Sequence, residues 1–175
     1  MTAAKSVFRL LAEDKMSVAD IMKRANLQIK KDITRAQGMF VALLYAELDI
    51  AEKSIGLCSA GQTQPIHLSA KTGEAVLVET EGDAFPLGIV EFAEYEETRL
   101  ELESGDLIIF YTDGVVEAMN GAGDMYGFER FLSVIQEHRG QDAERFLEKL
   151  VDDVNQFVGK AEQHDDLTIV VIEVD

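Results

Sequence analysis

Apolar residues recur at helical spacing from the first residues onward. Ala3, Val7, Leu10 and Leu11 fall on one face, which predicts a helix entered part-way. A second helix begins after Ser17, a good N-cap, with Asp20 three residues on as a weak capping box. Val18, Ile21, Met22, Ala25, Ile29 and Ile33 then repeat at three- and four-residue steps, and Lys30-Lys31 suits the negative end of the helix dipole. From Gly38 the period changes. Residues 40–46 are apolar on both alternating faces, predicting a strand covered on both sides. A turn over 49–52 and a returning strand over 54–59 follow. Short strands are expected at 65–69 and 75–78, with Lys71-Thr72-Gly73-Glu74 turning between them, then a loop over 82–90. Residues 94–102 predict a strand with an acidic exposed face. Ser104-Gly105-Asp106 turns the chain into a buried strand over 107–111, which stops at Asp113-Gly114; Asn120-Gly121 marks another turn. A helix is expected over 128–138. The most regular helix runs from a cap at Asp142 to Gly159, with Ala143, Phe146, Leu147, Leu150, Val151, Val154 and Val158 inward. The last strand covers 167–174.

Two helices, a run of antiparallel strands, two helices and a closing strand argue for an α+β fold with helices packed on sheet faces. At 175 residues, without repeats, linkers or low-complexity segments, the expectation is a single domain over 1–175. Charge narrows the function. Sixteen Lys+Arg against 33 Asp+Glu give a net charge of −17 and a pI near 4.4. That argues against nucleic acid as a partner and against docking on an anionic membrane. No apolar run approaches the ~18 residues of a membrane span, and no signal-peptide pattern opens the chain, so no membrane insertion is expected. The lone Cys58, in an apolar stretch, reads as a buried inert thiol and fits a reducing cytoplasm.

Two carboxylate placements carry candidate chemistry. Asp113 directly follows a buried strand, with Gly114 allowing a sharp turn; Asp165 and Asp166 stand just ahead of the last strand. A carboxylate on the end of a core strand is held rigidly, as a metal ligand must be. If both strand ends lie on one edge, the two can share a hard cation such as magnesium or manganese, which keeps several waters. Asp-Gly and Asp-Asp are also ordinary turn residues, and on composition alone that reading is the stronger. Other candidates are weaker. His164-Asp165 has the form of the His-Asp pair of metal phosphohydrolases, but those are all-helical and this pair precedes a strand. His67 and His138 have no ligand partner at useful spacing and read as surface or satisfied histidines. No Gly-x-Ser-x-Gly elbow, Walker loop or dinucleotide glycine loop occurs. Met119 and Met125 read as packing, and the acidic run over 94–103 as a solvated face.

The segment Tyr111-Thr112-Asp113-Gly114-Val115-Val116-Glu117-Ala118 resembles the strand-to-metal motif of metal-dependent protein phosphatases, in the bacterial branch of stage II sporulation protein E and the sigma-factor regulatory phosphatases. Gln163-His164-Asp165-Asp166-Leu167-Thr168-Ile169-Val170-Val171 resembles that branch's closing motif. Ser59-Ala60-Gly61, Pro86-Leu87-Gly88, Ser104-Gly105-Asp106 and Tyr126-Gly127-Phe128-Glu129-Arg130 fit its intermediate landmarks in order and spacing. Any one motif is weak, but the ordered set is specific and spans the chain.

The resemblance implies two packed antiparallel sheets flanked by helices. It also implies hydrolysis of phosphoserine or phosphothreonine on a phosphorylated regulatory protein by two bridged Mn2+ or Mg2+ ions. Asp113 and Asp165 would be metal ligands, with Gly114 and Asp166 in support, Asp166 orienting the neighbouring backbone. Three departures matter. Gln62 stands where the family has histidine, and Ala42 where threonine is common. No residues match the family's opening strands, whose first Asp and Gly-His-Gly stretch supply a bridging ligand. The chain therefore reads as the family domain with its front removed. It is expected to fold, to bind metal weakly and to show little or no turnover alone, with open sheet edges that a homodimer could cover. The alternative is a catalytically incomplete module of the same fold, acting through protein contacts.

Overall fold

A computed structural model describes residues 2–13, 16–31 and 38–175. The chain forms two compact units, one of residues 1–62 and 79–101, the other of 63–78 and 102–175.

The first unit contains helices α1 (Thr2–Leu11) and α2 (Val18–Ile29) and strands β1 (Leu43–Asp49), β2 (Ser54–Ala60) and β5 (Thr98–Glu101). The three strands form an antiparallel sheet in the order β1-β2-β5. The Ser17 hydroxyl accepts from the Asp20 amide at 3.1 Å and donates to the Asp20 carboxylate at 2.8 Å, the predicted cap. Val18, Met22, Ala25 and Ile29 join Cys58, Ala60, Leu87 and Tyr95 in one apolar cluster. Ile33 lies outside the described residues. Leu10, predicted inward, is 70% exposed, while Val7, Phe8 and Leu11 pack against the cluster.

The strand expected over 40–46 differs in extent and burial. It begins at Leu43 and runs to Asp49. Phe40 is exposed, and Val41 makes only an isolated bridge to Leu87. Among the described residues β1 pairs with β2 alone and is an edge strand, whereas the central β2 is buried along its whole length. An apolar run records tolerance of burial; the neighbours decide whether burial happens. The strand expected over 94–102 shrinks to Thr98–Glu101. Glu97, within the acidic run, accepts from the Val18 amide at 3.1 Å and so caps α2 rather than facing only solvent.

The second unit contains β3 (Ile66–Leu68), β4 (Ala75–Leu77), β6 (Leu107–Tyr111), α3 (Asp113–Val116), α4 (Phe128–Glu137), α5 (Ala143–Val158) and β7 (Ile169–Glu173). Its sheet is antiparallel in the order β4-β3-β6-β7. Leu107 pairs with Glu173 and Tyr111 with Ile169, so the strands expected over 107–111 and 167–174 share this sheet and are neighbours in it. β6 is almost wholly buried; β7, read from its continuous apolar run as a core strand, lies at the sheet edge among the described residues and is half-exposed, a correction to that reading. Phe131, Ile135, Phe146, Leu150 and Val154 cover Ile66, Leu107, Ile109 and Tyr111. Leu147 and Val158 are half-buried, while Val151, also predicted inward, is 40% exposed. The Asp142 side chain caps α5 through the Arg145 amide at 3.0 Å. Among the described residues no helix is long and apolar enough to cross a membrane.

Candidate functional site

The carboxylates are placed by the open end of the β6–β7 ladder. Past Tyr111, the Thr112 amide donates to the Thr168 carbonyl at 3.1 Å. The Thr112 hydroxyl accepts from the Thr168 amide at 3.1 Å and donates to the Asp166 carbonyl at 3.0 Å. One threonine thus clips the segment before β7 to the end of β6. The chain then turns into α3, and Gly114 lies on the clipped segment. A Cβ at Gly114 would stand 2.6 Å from the Asp166 carbonyl oxygen and 3.4 Å from the Asp165 Cβ. Glycine is therefore required by close approach, and that approach sets the backbone of 113–114 beside that of 165–166. Asp113, Asp165 and Asp166 are all exposed. Asp113 Oδ1 accepts from the Gly114 amide at 3.0 Å, and Asp165 Oδ1 from the Asp166 amide at 2.7 Å. The aspartates stand out in the sequence, whereas the role of Thr112 emerges from the fold. A hydroxyl between a buried strand and an aspartate was the available signal.

A cleft of about 460 Å³ opens beside this point, with Gly114 and Asp165 in its wall. Met119, Met125 and Leu167 give it an apolar lining, and Glu117 and Glu162 add acid. Met119 and Met125 face each other across an isolated bridge, at the base of a tight loop held by Asn120. The Asn120 amide donates to the Asp124 carbonyl at 3.0 Å, and Asn120 Oδ1 accepts from the Ala122 and Asp124 amides at 2.9 Å. The two methionines, read from sequence as packing, thus line a cavity, and Met125 is 53% exposed. Behind the loop, the Tyr126 hydroxyl donates to Asp153 at 3.2 Å. Arg130 grips the same carboxylate through Nε and Nη2 at 2.9–3.0 Å and stacks over the Tyr126 and Phe157 rings. Burial, then the Asp153 charge, push the Tyr126 phenol up to about 12, so it remains a donor.

A family model described as stage II sporulation protein E (SpoIIE) matches residues 1–175. The chain belongs to the stage II sporulation protein E family. It is 25% identical over 174 residues to phosphoserine phosphatase RsbU of Bacillus subtilis (strain 168), covering 98% of this chain and 50% of that protein. Among solved structures, the SiaA-PP2C domain of Pseudomonas aeruginosa matches with a TM-score of 0.82 at 20% identity, over 98% of this chain and 68% of that one. RsbX in complex with magnesium matches with a TM-score of 0.68 at 17% identity, over 99% and 72%. The chain spans half or less of the length of the curated relatives it matches. The fold is that of PP2C phosphatase domains: α+β, with two antiparallel sheets and helices.

In this member of the SpoIIE family, Asp113 and Asp165 are exposed carboxylates on neighbouring turns, oxygen donors of the kind that magnesium and manganese take. Among the described residues no group of three or more His, Cys, Asp or Glu is arranged to hold a metal. Gln62, where histidine was expected, has its amide bonded to the Ser59 hydroxyl at 3.4 Å. Gly61 has a φ of 76°, and a Cβ there would sit 2.8 Å from the Pro86 ring, so it needs glycine on both counts. His67 is a satisfied histidine, with Nε2 2.9 Å from the buried Asp106. Burial pushes the Asp106 carboxyl up, but bonds from the Glu103 and Ala70 amides and from His67 hold it below its ordinary value. Cys58 is fully buried; burial first, then Glu97, raise its thiol to about 11, as expected of an inert thiol.

Proposed function

We propose that residues 1–175 belong to one metal-dependent protein phosphatase domain. It hydrolyses phosphoserine or phosphothreonine on a regulatory protein, with magnesium or manganese as cofactor. Support comes from family membership, from a relative named as a phosphoserine phosphatase and from a structural neighbour described with magnesium. The observation that carries the reading is the clip at Thr112. Hydrogen bonds to Asp166 and Thr168, and the contact of Gly114 with Asp166, draw two carboxylate-bearing turns together at one end of a sheet. Nothing in the packing of β6 or β7 requires an aspartate at either position, since both are exposed.

In this reading Asp113 and Asp165 hold the cation. When bound, it supplies positive charge to the phosphoryl oxygens and lowers the pKa of a coordinated water. The protein's part is positional. Thr112 fixes the distance between the two turns, Gly114 lets them approach, and the Asp166 carbonyl anchors the clip. Asp113 and Asp165 each take one backbone amide on Oδ1, which limits side-chain rotation. Preorganisation of this kind keeps ligands in place without reorganisation at the moment of reaction.

The test is phosphate release from a phosphoserine peptide and from an aryl phosphate, by the protein that carries this chain, with and without manganese. Manganese-dependent turnover, lost in Asp113→Asn, is expected. Turnover that is indifferent to metal, or that survives the substitution, would overturn the proposal.

A further inference from the structure

We propose that the cleft beside Asp165 receives a lysine or arginine side chain of the phosphoprotein substrate, close in sequence to its phosphorylated residue, and so selects substrates by charge. This rests on the phosphatase reading above. Asp165 and Gly114 belong both to the carboxylate site and to the cleft wall. A phosphate held at that site therefore brings the flanking substrate residues over the cleft. At about 460 Å³ the cleft falls within the range of ligand sites, roughly 300–1,000 Å³.

The lining chooses the occupant. Met119, Met125 and Leu167 offer apolar contact, and methionine adapts to the shape of a flexible aliphatic stem. Glu117 and Glu162 add negative charge, and among the described residues that line the cleft there is no lysine or arginine to neutralise them. An acidic substrate side chain would be repelled there. A purely apolar one would desolvate the two acids without compensation. A long aliphatic stem ending in a cation satisfies both halves, because such side chains lay their methylenes on apolar surface and keep the charge at the polar edge. The receiving surface is also held firmly. Asn120 closes the methionine loop, and the Arg130–Asp153–Tyr126 network fastens its C-terminal end to α5.

The experiment uses phosphoserine peptides that differ only in arginine, norleucine or glutamate at positions flanking the phosphoserine. Binding is read by fluorescence anisotropy and by NMR of 13C-methyl-labelled methionines, with aryl phosphate turnover as a separate readout. The expected result is that the arginine peptide binds best and moves the Met119 and Met125 methyl signals. Glu117→Gln and Glu162→Gln should each weaken it by roughly fivefold, the upper end for an exposed ion pair, and should not weaken the norleucine peptide. Met125→Ala should weaken the arginine and norleucine peptides alike. The cleft assignment is overturned if the glutamate peptide binds as well as the arginine peptide, or if the two methyl signals stay still while binding proceeds. Manganese-dependent turnover of aryl phosphate with still methyl signals would leave the phosphatase reading standing and remove this one. Moving methyl signals without such turnover would overturn the phosphatase reading, and this proposal with it.

Discussion

Gly114→Ala tests the geometry that joins the two carboxylate turns. The added methyl would start 2.6 Å from the Asp166 carbonyl oxygen, whereas ordinary contact begins at 3.4 Å, so one backbone must retreat by about 0.8 Å. That oxygen also accepts the Thr112 hydroxyl at 3.0 Å, and a retreat of this size breaks the bond. Overpacking against backbone costs about 1–3 kcal/mol, and the lost hydrogen bond adds about 1 kcal/mol. Against this stands the helix preference of alanine over glycine, up to about 1 kcal/mol within α3. The net expectation is a destabilisation of about 1–3 kcal/mol, read as a lower urea midpoint with an unchanged slope. Gly121→Ala is the control. Among the described residues, no atom beyond its own chain neighbours lies within 4 Å of its Cβ position, and a change under about 0.5 kcal/mol is expected. Manganese affinity should fall in Gly114→Ala and not in Gly121→Ala. Equal midpoints and equal affinities for the two variants would refute the argument that close approach at Gly114 sets the site.

Asp106→Ala removes the acceptor for the Ala70 and Glu103 amides and for His67, and should cost about 2–4 kcal/mol in urea unfolding at pH 7. The native Asp106 carboxyl is held below its ordinary value, so its contribution is complete above the unfolded pKa of about 4 and is lost as pH falls through the native one. The gap between wild type and variant should therefore close below about pH 4, and a pH-independent gap would contradict the assignment. Arg130→Lys keeps the charge but loses the two-pronged grip on Asp153 and the stacking on Tyr126 and Phe157, for an expected loss of about 1–2 kcal/mol. A thermal midpoint within error of wild type would remove the network from the account.

The elements best foreseen are those whose signals are local. The Ser17 and Asp142 caps and the buried run before Asp113 each depend on residues a few positions apart and stand as expected; the inward face of α5 does so at Phe146, Leu150 and Val154 but not at Val151. What was not legible depends on distant neighbours. Residues 40–46 are apolar enough for a buried strand, yet β1 is an edge strand because, among the described residues, only β2 pairs with it. β7 is half-exposed for the same reason. Glu97 caps a helix 79 residues earlier in the chain, a role invisible in an acidic run. At the site, the aspartates and Gly114 could be picked out because they interrupt apolar strands. The clip by Thr112 spans 54 and 56 positions, and the cleft that Met119 and Met125 line is likewise built with residues far along the chain, such as Leu167; no spacing rule reports either.

The central claim is that Asp113 and Asp165 share one cation, and a calorimetric manganese titration of wild type, Asp113→Asn, Asp165→Asn and the double variant tests it most directly. Circular dichroism and urea midpoints should first show that the exposed substitutions leave the fold intact. If the carboxylates share an ion, either single substitution removes most of the binding, and the double variant loses little more, because the second carboxylate has no ion left to hold. Losses that simply add, or binding that persists in both single variants, would show that the two aspartates act separately and that the site as described does not exist.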